Sequence, residues 1–391
     1  MTIDKILTKK NMILIAVNVF LLIAFIVCLV ISSSIRTSLR SQQAIRAWGG
    51  QSGERFAQLS VFFPESSGFN EEAVYGLRHE IENALVLASI DTPPGRTLYT
   101  DAWSAITEVT VVSDRDAPTV KAIAVGGDFF MFHPLYLRDG NYISPDDVMK
   151  DRIVLDEELA WRLFGSVKLA GLEVTINSKP FIIAGVISRE RDFASTKAYA
   201  AAFVQQDDFF SAPNTSGASM FISFDALMEM TEGEATISWY EIVLPDPITG
   251  FALRTLSEKI TDQDAHIVEN SARFSLSNSF AAIRSFGERS MQTEAIIYPY
   301  WENAARLVED WLALLLVFAL LFLVFPVICG IIYLIKLIKF GIGCGKKAIK
   351  KVIAEHDRKD YEKYLLKHSE DYDVDIYDVD NIIREVQDND D

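Results

Sequence analysis

Cysteine is missing from the whole central part of the sequence, residues 33–310. The three cysteines of this 391-residue chain lie outside that region, at Cys28, Cys329 and Cys344. A disulfide framework is therefore excluded for the central region, which has to fold by packing alone. A region of this length can bury a substantial hydrophobic core without covalent cross-links.

Histidine is also scarce, and no metal-ligand spacing connects the five that occur: His79, His133, His266, His356 and His368. The aspartates within residues 371–375 resemble the start of a calcium loop. However, Ile376 stands where that loop needs glycine, and Ile382 stands where it needs glutamate. We predict no metal site and interpret the acidic segment as a solvated tail.

The motifs of nucleotide binding and covalent catalysis are missing as well. Residues 341–347, GIGCGKK, resemble a phosphate loop only superficially, because Phe340 replaces its first glycine and Lys347 its magnesium-binding serine or threonine. No G-x-S-x-G nucleophile elbow occurs. Asn214 starts a glycosylation pattern that we interpret as a turn. The sequence thus predicts no catalytic residue, no cofactor and no enzyme activity.

Positive charge is under-represented in the central region. Residues 33–310 contain 23 lysines and arginines against 39 aspartates and glutamates, so their formal charge is 23 − 39 = −16. A surface of that sign repels the phosphates of nucleic acids. Binding to nucleic acid is therefore not expected.

Apolar residues, by contrast, are concentrated in two uncharged runs, residues 12–32 and 311–335. A bilayer span needs about 20 apolar residues in a helix. Lysines precede the first run and follow the second: Lys5, Lys9, Lys10, Lys336, Lys339, Lys346, Lys347, Lys350 and Lys351. The positive-inside rule then predicts a two-pass plasma-membrane protein with both termini cytoplasmic and residues 33–310 extracytoplasmic.

A cleaved signal peptide is the alternative interpretation of the first run. Signal peptides have an apolar region of about 7–15 residues that ends at a small-x-small cleavage site. The run here is longer, and residues 31–36, ISSSIR, make a poor cleavage site. We therefore expect the first run to be retained as a transmembrane helix.

The region between the spans alternates strand and helix patterns, which predicts an α+β fold. We expect a two-lobed extracytoplasmic domain: a ferredoxin-like strand-helix-strand lobe with an inserted β-rich lobe. Asn70 and Asp156 are predicted to cap helices that start at the next residue, and Gly165 to end the second helix. Residues 172–177 and 180–187 are predicted to form a hairpin.

These patterns divide the chain into eight segments. They are a cytoplasmic N-terminus (1–11), transmembrane helix 1 (12–32), a stalk helix (33–50), lobe 1 (51–125 and 236–275), the inserted lobe 2 (126–235), a second stalk helix (276–310), transmembrane helix 2 (311–335) and a basic-then-acidic cytoplasmic tail (336–391). An unstructured linker is the alternative for the first stalk, and a disordered end for the acidic tail. Four aromatic residues are predicted to anchor the second span at the membrane interface: Tyr298, Tyr300, Trp301 and Trp311.

Three consecutive motifs resemble the extracytoplasmic core of MacB-type ABC transporter permeases. GGDFF at residues 126–130 leads into LYLRDGNYI, residues 152–165 read RIVLDEELAWRLFG, and residues 171–187 read GLEVTINSKPFIIAGVI. Their order and spacing are also similar to the family's. With the flanking strand-helix-strand halves, the resemblance covers about residues 33–300.

The resemblance implies a function and a set of partners. MacB-like permeases pair in the membrane and move their outer domains when a separate ATPase closes their spans. The expectation is a non-catalytic subunit of such a mechanotransmission complex, with an ABC-type ATPase and a further permease subunit as partners. The family carries three spans after the outer domain, and this sequence shows one. A membrane-anchored binding or sensor module that is not coupled to ATP is therefore the alternative.

Overall fold

A computed structural model describes residues 9–50, 54–90, 97–203, 219–285 and 296–368. It divides into two compact units. One comprises the described residues up to Ile23 and from Leu321 onward, and the other comprises Ala24–Leu320. The turn predicted at Asn214 and the acidic end of the tail lie outside the described residues.

The second unit is built on one sheet of ten strands. Along the sheet the order is β10-β1-β9-β2-β3-β8-β5-β7-β4, and β6 pairs with β2 and β7. The strands are β1 (Phe56–Phe62), β2 (Thr100–Val112), β3 (Thr119–Gly127), β4 (Tyr136–Gly140), β5 (Arg152–Asp156), β6 (Glu173–Ile176), β7 (Lys179–Ser188), β8 (Ser219–Ser223), β9 (Trp239–Pro245) and β10 (His266–Glu269). The pairs β3–β8 and β5–β7 are parallel and the others antiparallel.

The strands of the two predicted lobes meet at one point in this order. β1, β2, β3, β9 and β10 come from the lobe-1 residues, and β4 to β8 come from the lobe-2 residues. The two sets join where β3 pairs with β8 over five residues, from Lys121–Ser219 to Val125–Ser223, and off this path β2 pairs with β6 over two residues. One sheet therefore runs through both, and the lobe boundaries themselves stay predictions.

Ten helices surround the described sheet and extend from it. They are α1 (Lys9–Ser38), α2 (Ala44–Gly49), α3 (Glu71–Leu87), α4 (Phe129–Phe132), α5 (Glu157–Phe164), α6 (Phe193–Phe203), α7 (Phe224–Met230), α8 (Phe251–Lys259), α9 (Leu276–Arg284) and α10 (Tyr300–His368). The mixed α/β architecture between two apolar helices confirms the predicted fold class.

Both faces of the sheet are buried, because alternate residues of a strand point to opposite sides. Leu59 and Val61 of β1 belong to a core cluster that also contains the buried residues of α3, α5, α7 and α8. The adjacent Phe62 belongs to a second cluster on the other face, together with residues of α4, α6 and the start of α10. The strands consequently carry apolar residues at consecutive positions.

Local capping signals determine several helix ends as predicted. The Asn70 side chain accepts a hydrogen bond from the Ala73 amide at 3.0 Å, and Asp156 accepts one from Leu159 at 2.7 Å. Gly165 ends α5 in the left-handed conformation, at φ 71°. The hairpin of β6 and β7 turns at residues 177–178, both of which have positive φ. This is one residue earlier than residues 178–179, which separate the two predicted strands.

The two stalks differ from the predicted continuous helices. α1 ends at Ser38, since Leu39 is extended and buried in the domain, and a short 3₁₀ turn precedes α2. The buried Gln58 side chain holds this break by bonding Ser41 O at 2.7 Å and Ala44 N at 3.1 Å. On the C-terminal side, α9 ends at Arg284 and α10 begins only at Tyr300.

Two further elements were not expected. The segment after the hairpin, for which the sequence patterns indicate no helix, contains α6, which buries Ala194 and Ala198 against the second core cluster. In addition, α10 continues through the predicted end of the second span as far as His368. The basic first part of the tail is therefore helical.

Candidate functional site

The first turns of α10, residues 300–312, are embedded in the sheet domain; we call this segment the helix base. Its buried residues recur at helical spacing and form one face: Trp301, Ala304, Ala305, Val308 and Leu312. The helix base is therefore part of the packed core of the sheet domain.

Aromatic contacts fix the start of the helix base. The Trp301 ring lies 4.3 Å from His133, 5.2 Å from Trp239 and 5.7 Å from Phe129, measured between ring centroids. Tyr300 meets Tyr199 edge to face at 5.2 Å. These residues thus connect α10 to β9, to α4 with the residue after it, and to α6.

The predicted interfacial role of three aromatic residues is wrong. Tyr298, Tyr300 and Trp301 have at most 5% of their surface exposed, and they belong to the core of the domain. Trp311 differs from them, because 40% of its surface is exposed. Among the four, Trp311 alone keeps the exposure that an interfacial anchor needs.

An ion network joins the helix base to the segment after β10. Arg273 binds Glu302 through two parallel hydrogen bonds of 2.6 and 2.7 Å, and it reaches Glu309 at 2.5 Å. Arg306 adds a bond of 2.9 Å to Glu302. Burial alone would lower the pKa of Arg273, but the carboxylates of Glu302 and Glu309 raise it above its ordinary value.

This network continues through the sheet as a chain of buried hydrogen bonds. Arg273 bonds the Asn270 side chain at 3.3 Å, and Asn270 donates to the Ser60 hydroxyl at 2.7 Å. Ser60 lies 3.3 Å from Glu241, whose other carboxylate oxygen is 2.5 Å from His133 Nε2. The chain therefore extends from the helix base to the end of α4, and every member is buried.

Asp156 is a second polar centre on the same face of the domain. Besides capping α5, its fully buried carboxylate accepts hydrogen bonds from Arg189 at 2.7 Å, the Ser219 amide at 2.6 Å and the Tyr199 hydroxyl at 3.2 Å. It therefore ties β5, β7, β8 and α6 together. Since Tyr199 contacts Tyr300, this cluster also reaches the helix base.

The sequence matches a known family over more than half of the chain. Residues 11–242 match the family described as MacB-like periplasmic core domain. The chain belongs to this family. No curated protein matches the sequence.

Two solved structures are similar to the MacB-like chain. The periplasmic region of MacB from Actinobacillus actinomycetemcomitans is 16% identical, with a TM-score of 0.38, over 63% of this chain and 97% of its own. The extracellular domain of the noncanonic ABC-type transporter YknZ from Gram-positive bacteria is 14% identical, with a TM-score of 0.35, over 55% of this chain and 100% of its own.

The family match confirms the resemblance carried by residues 126–187, which lie within the matched range. The described chain also has two helices long and apolar enough to span a bilayer, α1 and α10. The chain is thus a MacB-like membrane protein whose sheet domain lies between two apolar helices, and its family is one of transporter components.

The remaining residues considered as sites in the MacB-like chain have ordinary surroundings. Residues 341–347 lie inside α10 and form no loop that could surround a phosphate. Within the described ranges, no group of three or more histidine, cysteine or acidic side chains is arranged to hold a metal ion. His133, in contrast, belongs to the buried polar chain, and its distance of 108 residues from Glu241 hid that role from sequence reasoning.

Proposed function

We propose that this protein is a non-catalytic membrane subunit of a MacB-like ABC transport or mechanotransmission complex. In this proposal a separate ABC-type ATPase drives movement of the membrane helices, and the extracytoplasmic domain moves with them. A further permease subunit completes the complex. Residues 33–310 lie outside the plasma membrane and both termini lie in the cytoplasm, as the flanking lysines favour.

The observation that carries the proposal is the buried attachment of the helix base. Coupling requires an element that two sites can both bias, joined by rigid contacts. The bidentate pair of Arg273 and Glu302 provides such a contact, because its two parallel bonds fix orientation as well as distance. The aromatic packing of Trp301 supplies a second contact at the helix start.

Affinity purification of the full chain from native membranes in mild detergent tests the assembly. We expect an ABC-type ATPase and another membrane subunit to copurify. A matched variant lacking residues 352–391 shows whether the tail contacts the ATPase. If this variant loses the ATPase but keeps the other membrane subunit, the tail carries the ATPase contact. Recovery of a lone, stable protein would contradict the proposal and favour the sensor module.

A label on the domain tests the coupling itself. Cys28, Cys329 and Cys344 are replaced by serine, and a fluorophore is attached at the exposed Lys168→Cys position. In the purified complex, ATP should change the label's emission, and Arg273→Met should remove that change. Arg254→Met, at an exposed site on α8, is the control and should retain it. An equal response of all three proteins would contradict transmission through the helix base.

A further inference from the structure

Two neighbouring cavities share Leu135, Arg189 and Glu190 in their walls, and the first of them also includes Tyr300 of the helix base. The first, of about 160 Å³, has six apolar or aromatic residues among its twelve lining residues: Leu135, Ile187, Tyr199, Ala200, Phe221 and Tyr300. The other six are polar and include Asp156, Arg189 and Glu190. We call this first cavity the apolar cavity. The second, of about 430 Å³, contains four arginines, Arg40, Arg138, Arg189 and Arg191. We call it the arginine cavity.

Two of the four guanidinium groups are already used within the domain. Arg138 binds Glu157 at 2.9 Å, and Arg189 binds Asp156 at 2.7 Å. Arg40 and Arg191, in contrast, form no direct ion pair within the described part of the chain, although Arg40 attracts the Glu190 carboxylate and Arg191 that of Glu157 at longer range. Guanidinium groups bind phosphate and carboxylate through directed, charge-assisted hydrogen bonds. An anionic group between Arg40 and Arg191 would therefore be bound selectively.

The acidic residues of the arginine cavity do not cancel its preference for an anionic ligand. Asp192 is used as a cap, since it accepts a hydrogen bond of 2.9 Å from the Ser195 amide at the start of α6. Burial raises the pKa of Glu190, so its carboxyl group takes up a proton more readily than an exposed glutamate does. A bound anion would encounter less repulsion there than the formal charges suggest.

The surroundings of the cavities identify the source of such a ligand. Arg40 follows the first apolar run by only eight residues, and Tyr300 begins the helix that leads into the second. Nearby, Phe193 of α6 contacts Trp311 edge to face at 5.9 Å, and both rings remain partly exposed. An apolar surface of this kind is typical of protein at the level of lipid headgroups.

The geometry points to a binding site for an anionic phospholipid of the surrounding membrane. Its headgroup phosphate would lie between Arg40 and Arg191 in the arginine cavity, and the first part of one acyl chain would enter the apolar cavity. The site does not depend on the proposed coupling to an ATPase. It does lie against Tyr300 of the helix base, so an occupied site would stiffen the attachment of α10.

Native mass spectrometry of the full chain in detergent tests the site with phosphatidylglycerol and phosphatidylcholine as probes. Retention of phosphatidylglycerol should exceed that of phosphatidylcholine. The double variant R40Q/R191Q should retain it about tenfold less, because a charged hydrogen bond contributes on the order of a tenfold change. Ala200→Phe, which narrows the apolar cavity from the exposed side of α6, should also reduce retention.

The control is R46Q/R254Q, which removes two exposed arginines outside the cavities and should bind as the wild type does. Thermal unfolding of every variant confirms that the domain remains folded. Unchanged retention by R40Q/R191Q, or equal retention of the two lipids, would overturn the proposal. Displacement of phosphatidylglycerol by inorganic phosphate alone would also overturn it, since the site would then recognise a free anion.

Discussion

Removing Arg273, which binds the helix base from the segment after β10, should strongly destabilise the domain. In Arg273→Met the Glu302 carboxylate, with 2% of its side chain exposed, loses two hydrogen bonds and keeps only the bond from Arg306. Breaking a buried ion pair by removing one partner costs about 3–5 kcal/mol. Because Glu302 keeps its bond to Arg306, we expect the free energy of unfolding to fall by about 3 kcal/mol, the lower end of that range.

The assay is thermal unfolding of the full chain in detergent, followed by tryptophan fluorescence. For a domain of this size, 1 kcal/mol corresponds to a shift of about 2–4 °C, so the midpoint should fall by roughly 6–12 °C. Arg273→Lys keeps the charge but not the paired geometry, and it should lie between wild type and Arg273→Met. Arg254→Met at an exposed site should change the midpoint by less than about 2 °C.

A double variant separates the ion pair from simple packing. Arg273→Met combined with Glu302→Leu removes the stranded carboxylate, and should be more stable than Arg273→Met alone. If the double variant is instead as unstable as the sum of its two single variants, the pair is not coupled. A midpoint for Arg273→Met that matches wild type would refute the account of the helix base as an ionic attachment.

Three further predictions concern the sheet and its helices, each measured by the same unfolding assay. Gly126→Ala should destabilise by about 1–3 kcal/mol, since its new methyl group would lie 2.3 Å from the rigid Trp103 ring. Gly76→Ala, where the added carbon meets only open space inside a helix, should stabilise by about 0.5–1 kcal/mol. His133→Leu should lower the free energy of unfolding by more than about 1 kcal/mol, because the buried Glu241 carboxylate loses its contact with His133. Equal stability with wild type would show that the polar chain is not needed there.

Local signals in the sequence predicted much of the fold correctly. The caps at Asn70 and Asp156, the glycine end at Gly165 and the hairpin of residues 172–187 depend on neighbouring residues, and the structure contains each of them. Likewise, the family resemblance rested on turn and packing motifs within one continuous stretch. Such features need no knowledge of the long-range arrangement.

The attachment of the second apolar helix could not be predicted in the same way. Trp301 lies ten residues before the uncharged run, where an aromatic ring suits either a membrane interface or a protein core. Only the position of β9, which brings Trp239 beside it, decides between them. The chain from His133 to Glu302 depends on the strand order too, since its members come from five separate parts of the sequence.

The parallel pairing of β3 with β8 limits which conformational changes the domain can make under a mechanical force. The backbones of β3 and β8 are paired at five positions across the two predicted lobes, and those of β2 and β6 are paired at two more. A clamshell motion would have to break this bonding, whereas hinge motions in proteins use a few unpaired loop residues. The domain should therefore move as one rigid body. Its two halves should not close on each other around a bound molecule.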